Sequence, residues 1–338
     1  MLCILLALIF IILYPILGIF SKSFRVNAKK AISCAFKRAT LRKCDDDFGK
    51  EFKDKFLSKL IFKYPRVAKF FDKTLSFWLL LIVVINIIGL IYFLVGALNL
   101  FVYDTCYPTN GESCSLSGEA CSVDSVTSPT ILDTIKRIPS RLKTWEAKEY
   151  VSETATYYKA FDNSKPTSLE IIDPLCKFCK KLWGNIKEAG FTDRYNLTYI
   201  VYPIPEGTSY KFKNSYVIAR YMEALKKFPL ANSEVPADWR LLDKVFTDKK
   251  DGIDIQEVIN ISYSNDQTVE YVRNTLKEFG YTDEQVALIK SLAESDTIKN
   301  SLDKQKDIVE NKVQTIKIPT IIFNGVRHDR VVDVEGLK

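Results

Sequence analysis

The sequence of 338 residues predicts an α/β domain with a large helical insertion, preceded by two transmembrane helices. Two long apolar runs, residues 1–20 and 75–103, contain no charged side chain. After residue 152, short apolar segments with strand character alternate with segments of helical periodicity. Residues 209–312 separate two of the predicted strands and are mostly helical by pattern, which predicts the insertion.

Each apolar run is long enough to cross a membrane, because about 20 apolar residues cover a bilayer core of roughly 30 Å. A cleaved signal peptide is the alternative for residues 1–20, but this run lacks a basic start and a small-residue cleavage site. We therefore expect membrane anchors at residues 1–20 and 75–103. The longer second helix would cross the bilayer with some tilt.

The orientation follows from the charge of the loop between the spans. Residues 21–74 contain 12 Lys and 4 Arg against 6 acidic residues, a net charge of +10, and short basic loops stay in the cytoplasm. We expect a two-pass protein of the cytoplasmic membrane, with residues 104–338 outside the cytoplasm. The whole chain has a net charge of only +7, so its basicity reflects topology and predicts no nucleic-acid partner.

The basic loop carries an amphipathic pattern and two cysteines. Phe48, Phe52 and Phe56 recur every fourth residue among lysines, which predicts a helix on the lipid surface or, alternatively, a small helical hairpin packed on itself. Cys34 and Cys44 are expected to be free thiols in a reducing cytosol, with a regulatory or metal-binding pair as the alternative. No nearby histidine or CxxC completes a zinc set, so no metal is predicted.

The outer segment, residues 104–152, has cysteines among small and turn-forming residues. These cysteines are Cys106, Cys114 and Cys121. Cys3 lies at the outward end of the first span, so four cysteines are available for structural disulfides in an oxidising compartment. The pairing of Cys3 with Cys106 and of Cys114 with Cys121 is our hypothesis, although four cysteines allow three connectivities. One helix is expected around residues 131–148.

Cys176 and Cys179 form a CxxC motif between a predicted strand that begins at Ser168 and a predicted helix that begins at Cys176. A thiol at a helix N-terminus meets the positive end of the helix dipole and free backbone N–H groups, which favours its thiolate. Cys176 is therefore expected to attack a disulfide, and Cys179, one turn further and less exposed, to resolve it. A CxxC can also be half of a zinc site or a structural disulfide.

The surrounding pattern favours the redox interpretation of this motif. A second strand is predicted at residues 196–202, and a third at 316–323 has Pro319 at its start. Asn324–Gly325 then predicts a tight turn toward a strand at residues 330–334. Within the insertion the predicted helices are residues 216–225, 239–246, 269–279 and 283–309. The one histidine, His328, is expected at the surface.

In its order of motifs, the segment 153–338 resembles the DsbA-like branch of the thioredoxin superfamily. It has the CxxC after a central strand, an Ile-Pro-Thr before a hairpin and a helical insertion between them. The resemblance implies a thioredoxin-like fold and protein-disulfide oxidoreductase activity without a cofactor. It also implies that Pro319 follows a cis peptide bond beside the active-site sulfurs. The Ile318 backbone would then pair with an extended substrate strand.

The residues around the motif refine that expectation. Glu170 lies where the family carries a buried acid that helps to move the proton of the second cysteine; the alternative is a solvent-facing glutamate, with Asp173 as the competing acid. The strongly oxidising members have proline and histidine between the cysteines, whereas this chain has Lys177 and Phe178, expected to contact substrate. The direction of the reaction therefore stays open.

The sequence as a whole predicts an enzyme outside the cytoplasm that exchanges disulfides with cysteine-containing exported proteins. It would act beside the lipid bilayer with a membrane redox partner. The alternative is a membrane-tethered binding or chaperone module that keeps the fold without redox turnover. The chain ends soon after the last predicted strand, where the family would have one more helix.

Overall fold

The computed structural model describes residues 65–103, 120–122, 130–230, 233–315 and 317–338, together with five scattered residues between 26 and 37. The chain divides into two compact units, Met1–Val95 and Gly96–Lys338. The first predicted span, the phenylalanine pattern of the basic loop and the cysteines at positions 3, 34, 44, 106 and 114 lie outside the described residues.

The longest described helix, α1 (Pro65–Tyr103), contains the second predicted span. Its stretch Val84–Tyr103 has a mean hydropathy of 2.2 and is, by length and composition, the one candidate membrane span in the described part of the chain. Large side chains on it, such as Tyr92 and Phe93, are 70% exposed. The helix therefore has the length and surface that a spanning segment requires.

The unit that ends the chain combines short strands with many helices. Up to the insertion, its elements are β1 (Cys121–Ser122), α2 (Ile131–Leu142), β2 (Thr167–Ile172), α3 (Lys177–Glu188) and β3 (Asn196–Val201). The following elements are β4 (Pro205–Glu206), β5 (Ser209–Tyr210), α4 (Ser215–Leu225), α5 (Ala237–Thr247), β6 (Lys249–Lys250), β7 (Ile253–Asp254), α6 (Ile255–Ile261), α7 (Asn265–Glu278), α8 (Asp283–Ala293) and α9 (Asp296–Asp307). The chain closes with β8 (Lys317–Ile318), β9 (Thr320–Phe323), β10 (Val326–His328) and α10 (Val334–Leu337).

A mixed four-stranded sheet lies at the centre of this unit, in the order β10-β9-β2-β3. β2 is parallel to β3 and antiparallel to β9, which is antiparallel to β10. All six residues of β2 and all six of β3 are buried, as expected for strands covered on both faces. The predicted α/β class is confirmed.

Aromatic side chains pack strand β3 of the sheet against helix α5, and α5 against helix α3. Trp183 of α3 and Trp239 of α5 have ring centroids 5.5 Å apart, and Tyr199 of β3 lies 4.6 Å from Trp239. Both tryptophans are at most 1% exposed. These rings fix the helix that follows the cysteine motif against the insertion.

The insertion is mostly helical, as predicted, but its details differ. The single helix expected at residues 283–309 is broken between α8 and α9, because Ser295 caps α9 by accepting a hydrogen bond from the Ile298 N–H. Two small hairpins, β4–β5 and β6–β7, were not predicted. The helix expected at residues 131–148 ends at Leu142.

The C-terminal hairpin forms at the predicted turn. Asn324 and Gly325 have φ values of 49° and 74°, the left-handed backbone that such a two-residue turn requires. The strand predicted at residues 330–334 is wrong, since the second strand is β10 and the Asp333 carboxylate instead caps α10 by accepting from the Gly336 N–H. His328 is half-buried against the Phe323 ring, 5.0 Å away, rather than at the open surface.

Candidate active site

Cys176 and Cys179 lie where β2 gives way to α3. Cys176 is the N-cap residue of α3, and its carbonyl accepts hydrogen bonds from the N–H groups of Cys179 and Lys180 at 3.0 and 3.2 Å. Its own N–H donates to the Asp173 carbonyl at 3.1 Å. The predicted placement of the first cysteine at a helix start is confirmed.

The two thiols differ in their affinity for a proton. Burial raises the pKa of Cys176, but hydrogen bonds from the Cys121 and Cys179 side chains and from the N–H groups of Cys179 and Phe178 outweigh it and hold the pKa well below that of an ordinary thiol. Burial and the hydrogen bond to Cys176 raise the pKa of Cys179 well above the ordinary value. The site therefore favours a thiolate at Cys176 and a protonated thiol at Cys179.

The Ile318–Pro319 peptide bond is cis, as the family resemblance implied. Its loop lies beside the cysteines, with the Ile318 carbonyl oxygen 3.8 Å from Cys176 Sγ. Thr320 Oγ1 donates to the Lys317 carbonyl at 2.8 Å and so closes the loop on itself. The loop thus presents backbone polar groups next to the sulfur expected to react.

A buried ion pair supports this loop from the hairpin side. Arg327 and Asp329 are joined at 2.9 Å, with both side chains at most 6% exposed. Arg327 also donates to the Val313 carbonyl at 2.6 Å. Sequence reasoning missed this pair, because charged residues near a predicted turn ordinarily face solvent.

Glu170 is a buried acid, which decides between its two sequence interpretations. It is 1% exposed, and its Oε1 has no hydrogen-bond partner among the described residues. Burial raises the pKa of Glu170 to about 8. Its charge in turn raises the pKa of Cys179, so the acid lies within electrostatic reach of the second cysteine.

Asp173, the competing acid, has a different environment. Its carboxylate accepts hydrogen bonds from Leu175 N at 2.9 Å, Ile204 N at 2.8 Å and Ser215 Oγ at 2.6 Å. Burial nevertheless raises the pKa of Asp173 to about 7. Asp173 therefore ties the cysteine turn to the chain after β3 and to α4.

The two residues between the cysteines differ in their exposure. Lys177 is exposed and Phe178 is half-buried, and Lys177 Nζ lies 5.0 Å from the centroid of the Phe178 ring. Both stay available for the predicted substrate contact.

Cys121 differs from its sequence prediction. It is a free, buried thiol rather than half of a structural disulfide with Cys114, and its Sγ lies 2.6 Å from Cys176 Sγ. The hydrogen bond with Cys176 and burial both raise the pKa of Cys121. Cys176 and Cys179 are both 0% exposed, so the greater exposure expected for Cys176 is wrong for this structure.

Gln256 of α6 is a second contact that the sequence did not reveal. Its side-chain amide donates to the carbonyls of Pro174 and Cys176, at 2.9 and 3.2 Å. The insertion therefore holds the backbone of the cysteine turn directly. A glutamine in an amphipathic helix carries no signal that would distinguish such a contact from a solvated side chain.

No metal centre accompanies the cysteines in the described residues, which contain no group of three or more His, Cys, Asp or Glu side chains placed to hold an ion. Comparison of the chain with protein-family models, with curated proteins and with solved structures found no match. Its function is therefore inferred from the geometry of the site.

Proposed function

We propose that residues 153–338 form a thioredoxin-like domain and that the chain is a thiol-disulfide oxidoreductase. The observation that carries this proposal is the placement of Cys176 at the N-cap of α3 beside the cis-proline loop. The sheet order and strand directions support it, since a parallel β2–β3 pair spans the cysteine helix and an antiparallel hairpin follows Pro319.

In this mechanism the Cys176 thiolate attacks a disulfide of the substrate. A bond forms between Cys176 and one substrate sulfur, and the other substrate sulfur leaves as a thiolate. Cys179 then loses its proton and attacks Cys176 Sγ, which releases the second substrate thiolate. The substrate gains two electrons and the enzyme keeps a Cys176–Cys179 disulfide; the reverse sequence oxidises a dithiol.

Glu170 supplies the base that the second step requires. The raised pKa of Cys179 keeps it protonated near neutral pH, so an acceptor for its proton is needed. Glu170, with a pKa raised by burial to about 8, exchanges a proton in that pH range. Its Oε1 has no hydrogen-bond partner among the described residues, so this oxygen can accept the proton.

We also propose that the chain is a two-pass membrane protein with this domain outside the cytoplasm. The apolar stretch Val84–Tyr103 and the net charge of +10 in residues 21–74 support that orientation. Its substrates would be cysteine-containing exported proteins, and a membrane redox partner would restore its redox state. Oxidation, reduction and isomerisation all use the same exchange step.

The test is exchange activity of the full-length protein in lipid nanodiscs, followed as reduction of insulin and as oxidation of a dithiol peptide. We expect Cys176→Ser to abolish both reactions, because serine forms no mixed disulfide. Cys44→Ser, which removes a thiol from the basic loop, is the matched control and should retain both. Equal activity in wild type and Cys176→Ser would overturn the proposal.

The complete burial of both cysteines favours a second candidate, a membrane-tethered binding or chaperone module without redox turnover, in which any Cys176–Cys179 disulfide would be structural. A structural disulfide has a reduction potential below about −300 mV, whereas redox-active pairs range from about −270 to −120 mV. Equilibration of the protein with glutathione buffers distinguishes the two functions. The measured value also gives the direction of the reaction.

A further inference from the structure

The short strand β1 lies across the active-site cysteine. Cys121 pairs with Ile318 and Ser122 with Lys317, both antiparallel, so β1 adds to the residues just before Pro319. Ala120 and Cys121 are at most 9% exposed, and Cys176 beneath them is 0% exposed. β1 therefore occupies the place where the proposed function requires a substrate strand to pair.

The sulfur positions match this backbone pairing. Cys121 Sγ lies 2.6 Å from Cys176 Sγ, which is about 0.5 Å more than the length of a disulfide bond. Cys179 also makes a side-chain hydrogen bond with Cys176. Cys176 is thus the central sulfur of three, with an exchange partner on each side.

We propose that Cys121 is a third redox cysteine, an internal substrate that exchanges a disulfide with Cys176. This inference rests on the proposed thiol-disulfide exchange. Cys121 loses its thiol proton and its sulfur attacks Cys176 Sγ of the Cys176–Cys179 disulfide. The Cys121–Cys176 bond forms, the Cys176–Cys179 bond breaks, and Cys179 leaves as a thiolate that takes up a proton in place of the one that Cys121 lost. No electrons are gained or lost overall, so no other oxidant or reductant is required.

The same geometry describes the class of external substrate. A partner must present a cysteine in an extended segment that can pair antiparallel with Lys317–Ile318. The residues flanking Cys121 are the small side chains Ala120 and Ser122, which let the strand lie close to the active-site turn. External segments enter this place once β1 has left it.

The experiment traps the exchange in full-length Cys179→Ser protein, where Cys176 has no CxxC partner. After mild oxidation and acid quenching, cleavage after Glu119 separates Cys121 from Cys106 and Cys114. Cleavage after Lys177 separates Cys176 from position 179. Mass spectrometry should identify the peptide pair linked through Cys121 and Cys176 as the main disulfide of Cys176.

Two double variants are the controls. We expect Cys179→Ser with Cys114→Ser to retain the Cys121–Cys176 link and Cys179→Ser with Cys121→Ser to lose it. In the Cys179→Ser, Cys121→Ser variant, Cys176 could instead form a disulfide with Cys106 or Cys114. If the yield equals that of the Cys121–Cys176 link, Cys176 reacts with any nearby cysteine and the proposal is wrong. A free Cys176 in oxidised Cys179→Ser protein would also overturn it.

Wild-type protein provides a measurement that depends on no substitution. Quenching during oxidation by glutathione disulfide should reveal a Cys121–Cys176 link that appears as the Cys176–Cys179 disulfide forms and exchanges with it, and the absence of this link at every time point counts against the proposal. Insulin reduction by the same preparation separates the two proposals. Activity without any Cys121–Cys176 link overturns only this inference, whereas inactivity of wild type overturns the proposed function.

Discussion

The helical insertion and the central sheet each bury a carboxylate, but the two have opposite surroundings. Glu223 of α4 accepts hydrogen bonds from Thr154 Oγ1 and Ser301 Oγ, both at 2.6 Å, and forms a buried ion pair with Lys226 at 2.6 Å. Burial raises the pKa of Glu223, but the charge of Lys226 and these hydrogen bonds outweigh it and lower the pKa.

Glu170 of β2 is equally buried but lacks such partners. Its Oε1 has no hydrogen bond among the described residues, and burial raises its pKa to about 8. A fully paired carboxylate keeps its charge and fixes helices in place, whereas an unpaired one exchanges a proton near neutral pH. The contrast predicts that Glu223 matters for stability and Glu170 for chemistry.

The largest effect is expected from Glu223→Gln. Removing one member of a buried ion pair leaves Lys226 without its counter-charge, which costs about 3–5 kcal/mol in the free energy of unfolding. Chemical denaturation of the protein at pH 7, followed by tryptophan fluorescence, measures this loss.

Glu153→Gln is the control for that prediction. Glu153 lies 3.7 Å from Lys304 with a side chain that is 91% exposed, and such surface pairs contribute about 0–1 kcal/mol. Similar losses in the two variants would show that the partners of Glu223 do not determine its importance.

Glu170→Gln is expected to slow thiol-disulfide exchange by roughly 10²-fold, because an amide cannot accept the Cys179 proton. The rate should also lose the inflection that we expect for wild type near pH 8, where Glu170 titrates. Glu206→Gln, in the exposed part of the β4–β5 hairpin, should leave rate and pH profile unchanged. An intact pH profile in Glu170→Gln would assign the base elsewhere, with Asp173 as the next candidate.

The pH dependence of stability sharpens the same comparison. The folded-state pKa of Glu170 exceeds its ordinary value of 4.5, so its contribution is fully present below pH 4.5 and is lost as pH rises through about 8. Glu170→Gln should therefore gain stability relative to wild type across that interval. Glu223 has a lowered pKa, so its contribution is lost on acidification instead. Free energies of unfolding measured between pH 4 and 9 test both predicted pH dependences.

A smaller loss of folding stability is expected from Gln256→Leu. The variant leaves the Pro174 and Cys176 carbonyls without their side-chain donor, which costs about 1–3 kcal/mol. Glu257→Leu, at the exposed neighbouring position of α6, is the control for the helix itself. If both variants unfold at the same denaturant concentration, the contact between the insertion and the cysteine turn contributes little.

The sequence predicted the parts of the site that local patterns encode. The strand before the cysteines, the helix start at Cys176 and the turn at Asn324–Gly325 all depend on residues close together in the chain. The strand predicted at residues 330–334 failed because Val331 and Val332 are buried without strand pairing, and the next residue caps a helix. Apolar residues alone do not specify strand structure.

Long-range polar contacts could not be predicted in the same way. Cys121 lies 55 residues before Cys176, and a two-residue strand has no periodicity that could reveal its partner. Glu223 and Lys226 look like an ordinary pair on an exposed helix face, because the sequence does not show which face packs inward. These residues acquire their roles only when distant segments pack together.

The pairing of β1 with β8 also determines how outside partners compete for the site. A strand that belongs to the same chain acts at a high effective concentration, in the millimolar range for short flexible connections. A free peptide with ordinary micromolar affinity would be excluded most of the time. Access therefore favours partners that also bind elsewhere on the chain and so gain the same advantage of local concentration.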